Sequence, residues 1–196
     1  MISDFQFKLS AHDINKLPLC KYQGPVELVD DDAGLQRTLA ALGRESLIGF
    51  DTETRPAFKK GVSYQPSLVQ LAGEQTVHLI RLGGLSSTEA LFDLLSDPGV
   101  TKTGVAVRDD LLDLQRIAPF EPAGFVDLGK VAMKLQLETY GLRNLAAKFL
   151  GVRISKSAKC TNWDRKDLSR QQIDYAATDA WVSREIHLRF QKLQIL

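Results

Sequence analysis

The sequence predicts a single α/β domain with a mixed central sheet flanked by helices, and three observations carry that reading. Strand-length apolar runs alternate with segments of helical period through the first half of the chain. Two of those runs, 67–72 and 76–80, are joined only by Gly73-Glu74-Gln75, a hairpin link that puts an antiparallel pair into the sheet. The segment 169–192 carries both the start signal and the period of one long helix. At 196 residues, 44% hydrophobic and 25% charged, the chain has the length and composition of one ordinary globular core.

The elements follow in order. Val26-Glu27-Leu28-Val29 reads as a first strand, and the acidic run after it opens a helix over 31–43. Strands are expected at 47–53, 68–73 and 76–81, then a helix near 87–95 and a buried strand over 100–107. From Arg108 onward, Leu111, Leu112 and Leu114 fit a helix facing the core, and several helices fill 129–150. In the last helix Ser169 is the expected N-cap with Gln172 at the third position. Ile173, Ala176, Ala177, Ala180 and Ile186 form its buried stripe. Residues 1–24 stand apart as an N-terminal extension, either an ordered arm or a loose tail, before a domain spanning 25–196.

The chemistry concentrates at three places. Asp51 and Glu53 end the apolar run that begins at Leu47, and alternate residues of a strand project to one face. Two adjacent anions raise each other's pKa unless a cation lies between them. Hard oxygen donors of this kind suit Mg²⁺ or Mn²⁺, although a strand ending in a polar turn gives the same letters. Asp109 and Asp110 fall at a strand-to-helix junction, where open α/β sheets place ligands. Tyr175 and Asp179, four residues apart, share a helical face.

These segments resemble the three motifs of the DEDD superfamily of 3′–5′ exonucleases, with nearest likeness to Werner-type exonuclease domains and ribonuclease D. The likeness runs from residue 25 to residue 192. Asp51-x-Glu53 matches the first motif. Asp110, aligned through Lys102 and Gly104, matches the second, with Asp109 as the competing choice. Tyr175-x-x-x-Asp179 matches the third. Asp174 stands where the histidine subtype carries its histidine, so the tyrosine subtype fits better.

The resemblance implies a ribonuclease H-like fold and a metal-dependent exonuclease that releases nucleoside 5′-monophosphates from a nucleic-acid 3′ end. It implies two ions, Mg²⁺ or Mn²⁺, held by Asp51, Glu53, Asp110 and Asp179. Asp51 bridges the pair, and Tyr175 orients the attacking water because a phenol titrates too high to act as base at neutral pH.

Substrate contacts are expected from Thr52, Arg143, Asn144, Lys156 and Lys159. The last two lie in the loop of a basic stretch, Arg143 to Arg170, whose eight cations include Lys148. Phe58 and Tyr64, in the loop beyond Glu53, either contact the terminal nucleotide or only fill the loop. Trp163 is expected to pack. DNA is favoured over RNA, on the Werner-type likeness and the absence of ribonuclease D's additional helical domains. A catalytically idle nucleic-acid-binding module on the same fold is the alternative from another class.

Net charge of +1 argues against a protein that coats DNA generally. No apolar run approaches membrane-spanning length, and Cys20 and Cys160 have neither metal-type nor disulfide-framework spacing. A reduced, cytoplasmic protein is the expectation, with oligomeric state left open.

Overall fold

The structure, a computed structural model, describes Phe5, residues 9–59 and residues 61–196. The rest of the predicted N-terminal extension before Leu9 lies outside the described residues. Six strands form one sheet in the order β1-β4-β3-β2-β5-β6. They are β1 (Val26–Val29), β2 (Leu47–Thr54), β3 (Pro66–Ala72), β4 (Val77–Arg81), β5 (Thr101–Gly104) and β6 (Phe125–Asp127). β2, β3 and β4 run antiparallel in turn, whereas β1–β4, β2–β5 and β5–β6 are parallel. The sheet is therefore mixed, as the hairpin signal required.

One face of the sheet is covered by α2 (Asp32–Leu42), α3 (Glu89–Ser96) and α4 (Val107–Gln115). Ile48, Phe50, Val69, Leu71 and Ile80 point into that layer and meet Leu35, Leu91, Leu95 and Leu114. The opposite face carries α7 (Arg170–Lys192), whose Tyr175, Ala176, Ala177 and Ala180 pack on Leu68, Ala72 and Leu79. A third apolar cluster joins the later turns of α7 to α5 (Leu128–Lys134), α6 (Leu142–Leu145) and the wide π-type turn Ala146–Leu150. Period-2 alternation in the strands thus divides the core between two helical layers.

The caps expected at the helix starts are present. Asp31 accepts from Gly34 N, and Ser169 forms a reciprocal capping box with Gln172. Two expectations change. The strand expected over 100–107 stops at Gly104, because Ala106 takes a left-handed turn (φ 60°) that starts α4 at Val107. Val107 is buried as the first helical residue, so its apolar character carried no strand signal. β6 was not anticipated. Three residues are too short for a period to register, and they are half-buried rather than apolar throughout.

Lys102, one of the anchors for aligning the second motif, is fully buried on β5. Its ammonium donates to the carbonyls of Leu94 (3.2 Å) and Asp97 (2.6 Å), satisfying the C-terminal end of α3. The part of the extension that is described forms an ordered arm. Ser10 caps α1 (Ala11–Lys16) with a capping box, and the following strap runs beside the 150s. Arg153 N donates to Pro18 O (3.0 Å) and Cys20 N to Arg153 O (2.8 Å). Tyr22 then docks on α7, its amide bonding Thr178 Oγ1 at 3.0 Å and its ring meeting Trp181.

Candidate active site

β2 sets the geometry. Leu47, Gly49, Asp51 and Glu53 share the face toward α7, and a glycine inside an apolar strand marks a close backbone approach. A Cβ at Gly49 would lie 2.0 Å from the Ala180 carbonyl oxygen. That bare position lets α7 lie almost against β2, and Asp179 arrives beside Asp51. The sequence carried this signal in the glycine within the 47–53 run, and motif matching passed over it.

Asp51, Glu53, Tyr175 and Asp179 line one cavity of about 310 Å³ together with Thr52, Arg143, Asn144, Lys156 and Lys159. Every expected substrate contact is on that wall. Asp110 is the exception among the expected site residues. It sits in the first turn of α4, where Thr52 Oγ1 donates to its carboxylate at 2.5 Å. Asp110 still raises the pKa of Asp51 and Glu53, so its charge reaches them. Its neighbour Asp109 is exposed, which favours Asp110 as the residue aligned with the cluster. Thr52 plays a part not foreseen: its hydroxyl is engaged with Asp110, while its amide donates to Asp51 Oδ1 at 2.9 Å.

The electrostatics are those of crowded anions. Burial, then the charges of Asp179 and Asp110, drive Asp51 well above the usual carboxylate range. Burial and the charge of Asp51 push Glu53 up to about 10. Asp110 and Asp179 are raised as well, chiefly by burial. Lys159 is the positive counterweight, lowering Asp51, Glu53 and Asp179. Tyr175 is driven above its ordinary value by burial and by the charges of Asp179, Glu53 and Asp51. It remains a neutral donor at physiological pH.

Asp179 Oδ1 is buried without a hydrogen-bond partner, an open acceptor in an anionic cluster. As the side chains stand, no group of three acidic, histidine or cysteine residues among the described residues is arranged to hold an ion. The donor set itself is all oxygen and rich in charge, which fits a hard divalent cation. Gln70, paired in register with Asp51 on β3, is fully buried with both amide atoms unpartnered.

Several sequence expectations on the cationic wall are refined. Lys148 is buried in the π-type turn, its ammonium bonded to the Phe5 carbonyl at 2.6 Å, and so leaves the basic patch. Arg143 reaches Asn15 of α1 at 2.5 Å, which ties the arm to the cavity wall. Lys156 and Lys159 are exposed. Trp163 is buried against Tyr175, with ring centroids 6.1 Å apart, so it packs as expected. Val105, Gly141, Leu142, Ile154 and Ser155 complete the lining without having been singled out, since no sequence motif marks such positions.

The apo cluster makes a pH-dependent prediction. A carboxyl raised on folding adds stability below its ordinary pKa and loses it as pH rises through the folded value. For Asp179 that window runs from 3.8 to about 7. In EDTA at pH 8, Asp179→Asn is therefore expected to melt higher than the unaltered chain, and the gain is expected to vanish near pH 4. Each kcal/mol gained would appear as roughly 2–4 °C. Equal melting temperatures at pH 8 would refute the cost assigned to the ionised cluster.

The sequence model of a family described as 3′–5′ exonuclease matches residues 26–194. Curated relatives include the human exonuclease mut-7 homolog, 31% identical over 76% of this chain and 20% of its own length. The mouse bifunctional 3′–5′ exonuclease/ATP-dependent helicase WRN is 32% identical over 75% and 11%. Haemophilus influenzae ribonuclease D is 30% identical over 88% and 43%. The chain thus spans less than half the length of each. Among solved structures, the Aedes aegypti Nibbler EXO domain superposes with a TM-score of 0.77 at 26% identity, covering 86% of this chain and 90% of that one. Escherichia coli RNase D shares the fold, with a TM-score of 0.75 at 23% identity over 87% and 46%. The mixed sheet with its two helical layers is the ribonuclease H-like arrangement of these exonuclease domains.

Proposed function

Because the chain belongs to the 3′–5′ exonuclease family, we propose that its carboxylate cavity hydrolyses nucleic acid from the 3′ end and releases nucleoside 5′-monophosphates. The observation that carries this reading is the convergence of Asp51, Glu53, Tyr175 and Asp179 in one cavity walled by Lys156 and Lys159. The exonuclease unit is residues 25–196, preceded by an extension over 1–24 whose stretch from 9 to 24 braces it.

Asp51, Glu53, Asp110 and Asp179 would hold Mg²⁺ or Mn²⁺. Two such ions, when bound, stabilise the attacking and leaving oxygens and lower the pKa of water. The open Asp179 Oδ1 and the raised carboxyl pKa values support that fit. The chain's own groups supply position and charge. Tyr175 keeps its proton and would hold an attacking water by hydrogen bonding, next to Asp179 in the same cavity. Lys156 and Lys159 meet the phosphate, and Arg143, Asn144 and Thr52 line the remaining wall. With both cysteines free thiols, the reading extends to a reducing, cytoplasmic setting. No helix among the described residues is long and apolar enough to cross a membrane.

DNA is the first substrate reading and RNA the second, the latter favoured by relatives named ribonuclease D that match over most of this chain. The test uses 5′-labelled single-stranded and 3′-recessed DNA and RNA of one sequence, with Mg²⁺, Mn²⁺ or EDTA. A metal-dependent ladder shortening from the 3′ end is expected. Internal cuts, 5′ shortening or intact strands in both polymers would overturn the proposal, and the rate ratio decides between DNA and RNA.

A further inference from the structure

One cation on the wall of the carboxylate cavity is held by a residue far away in sequence. Arg143 is half-buried on α6, and its Nη2 donates to Asn15 Oδ1 on α1, 128 residues earlier. No carboxylate pairs with Arg143 among the described residues. Its Nε is buried without a hydrogen-bond partner. Asn15 is therefore the acceptor that orients this guanidinium among the described residues, and it is a neutral one. A carboxylate in its place would hold the same geometry and cancel the charge. The amide takes one of five N–H donors and leaves the rest of the planar fork to a phosphate.

Asn15 is itself held. Ser10 and Asp13 close the capping box at the start of α1, and Ile14, next to Asn15, is buried. Beyond the helix, Leu17 O accepts from Arg153 Nε (3.0 Å), and Pro18 O accepts from Arg153 N. Arg153 begins the stretch that brings Lys156 and Lys159 to the same cavity. A loose arginine gives up rotamer freedom when it meets a phosphate, whereas one fixed by a rigid neighbour has given it up on folding. All of α1 precedes the stretch that the exonuclease family model matches, so this device lies outside the family pattern.

We propose that Asn15 is a positioning residue for the exonuclease site, presetting Arg143 for a backbone phosphate of the bound strand without neutralising it. Resting on the exonuclease reading above, this gives the arm a part in substrate binding. Arg143 then meets backbone rather than base, so the gain is common to all sequences.

The test compares Asn15→Ala, Asn15→Asp, Arg143→Gln and the Asn15→Ala/Arg143→Gln pair in the full chain on a 5′-labelled single strand. Asn15→Ala removes the order and keeps the charge. With Mg²⁺ or Mn²⁺, KM should rise about three- to tenfold while kcat stays within about twofold. Asn15→Asp keeps the order and pairs the cation. The slope of log Kd against log salt, measured in EDTA, should flatten by roughly 0.7 in that variant and stay parent-like in Asn15→Ala. In the Arg143→Gln background Asn15→Ala should add nothing, because its effect runs through Arg143. A parent-like or lower KM in Asn15→Ala, or an equal rise in both backgrounds, overturns the positioning role. A loss confined to kcat and melting temperature also overturns it, since a mere brace gives that pattern. If the unaltered chain shortens no strand, the exonuclease reading falls, and Kd values in EDTA for the same variants still decide whether Asn15 acts through Arg143. Absence of binding by the unaltered chain overturns both.

Discussion

Asp51→Asn is expected to lower turnover by about three orders of magnitude or more while leaving the fold intact. The magnitude follows from removing one charged group from a preorganised electrostatic site, where a single lost donor already costs about 10²–10³. Asp51 stands at the centre of the cluster, sharing a strand face with Glu53 and coupled to both Asp179 and Asp110. Asn keeps the shape and the acceptor that receives the Thr52 amide, but it neutralises a charge that a divalent cation needs. Because the unliganded cluster is repulsive, the variant should fold at least as well in EDTA as the parent chain. Steady-state turnover on a 5′-labelled strand and a thermal melt check both halves. Parent-like turnover would remove Asp51 from the metal site.

Gly49→Ala should damage both stability and rate, although residue 49 touches no substrate. The added methyl would lie 2.0 Å from the Ala180 carbonyl oxygen, a contact with backbone on a helix that cannot swing aside like a side chain. Overpacking of a well-filled core costs about 1–3 kcal/mol. The melting temperature should therefore drop by roughly 2–12 °C. Any outward shift of α7 also withdraws Asp179 and Tyr175 from Asp51. Misplacement by about 1 Å costs on the order of a hundredfold in rate. The two effects are read separately, by calorimetry and by kcat at a temperature where the variant is folded. A variant with parent-like melting and kcat would show that the approach of α7 to β2 does not set the site.

The two variants mark the division between what the chain states locally and what the fold adds. The hairpin over 67–80, the capped helix from Ser169 and the Asp51–Glu53 pair were legible because each rests on spacing within a few residues. Period 2 puts both carboxylates on one face, and period 3.6 stacks Tyr175 over Asp179. The three motifs, taken in order, were enough for the family, and local patterning marked five of the six strands of the mixed sheet. The end of β5 was misread because Val105, Ala106 and Val107 look like strand residues. Only the left-handed turn at Ala106, which tertiary packing holds in place, starts α4 in time to bring Asp110 to Thr52.

Distances between segments far apart in sequence belong to the tertiary structure alone. Lys148 and Lys159 have the same side chain in the same basic stretch, yet one is buried on the Phe5 carbonyl and the other faces the carboxylates. The described arm over 9–25 stands outside the family pattern, and docking on α7 and the 150s decides its place. Sequence by itself determined which groups are available for chemistry and which face of each element they occupy, because those follow from backbone periodicity. Tertiary structure decided which charges meet, how far they leave water and so how their protons are held, because burial and Coulomb energy depend on separations in space.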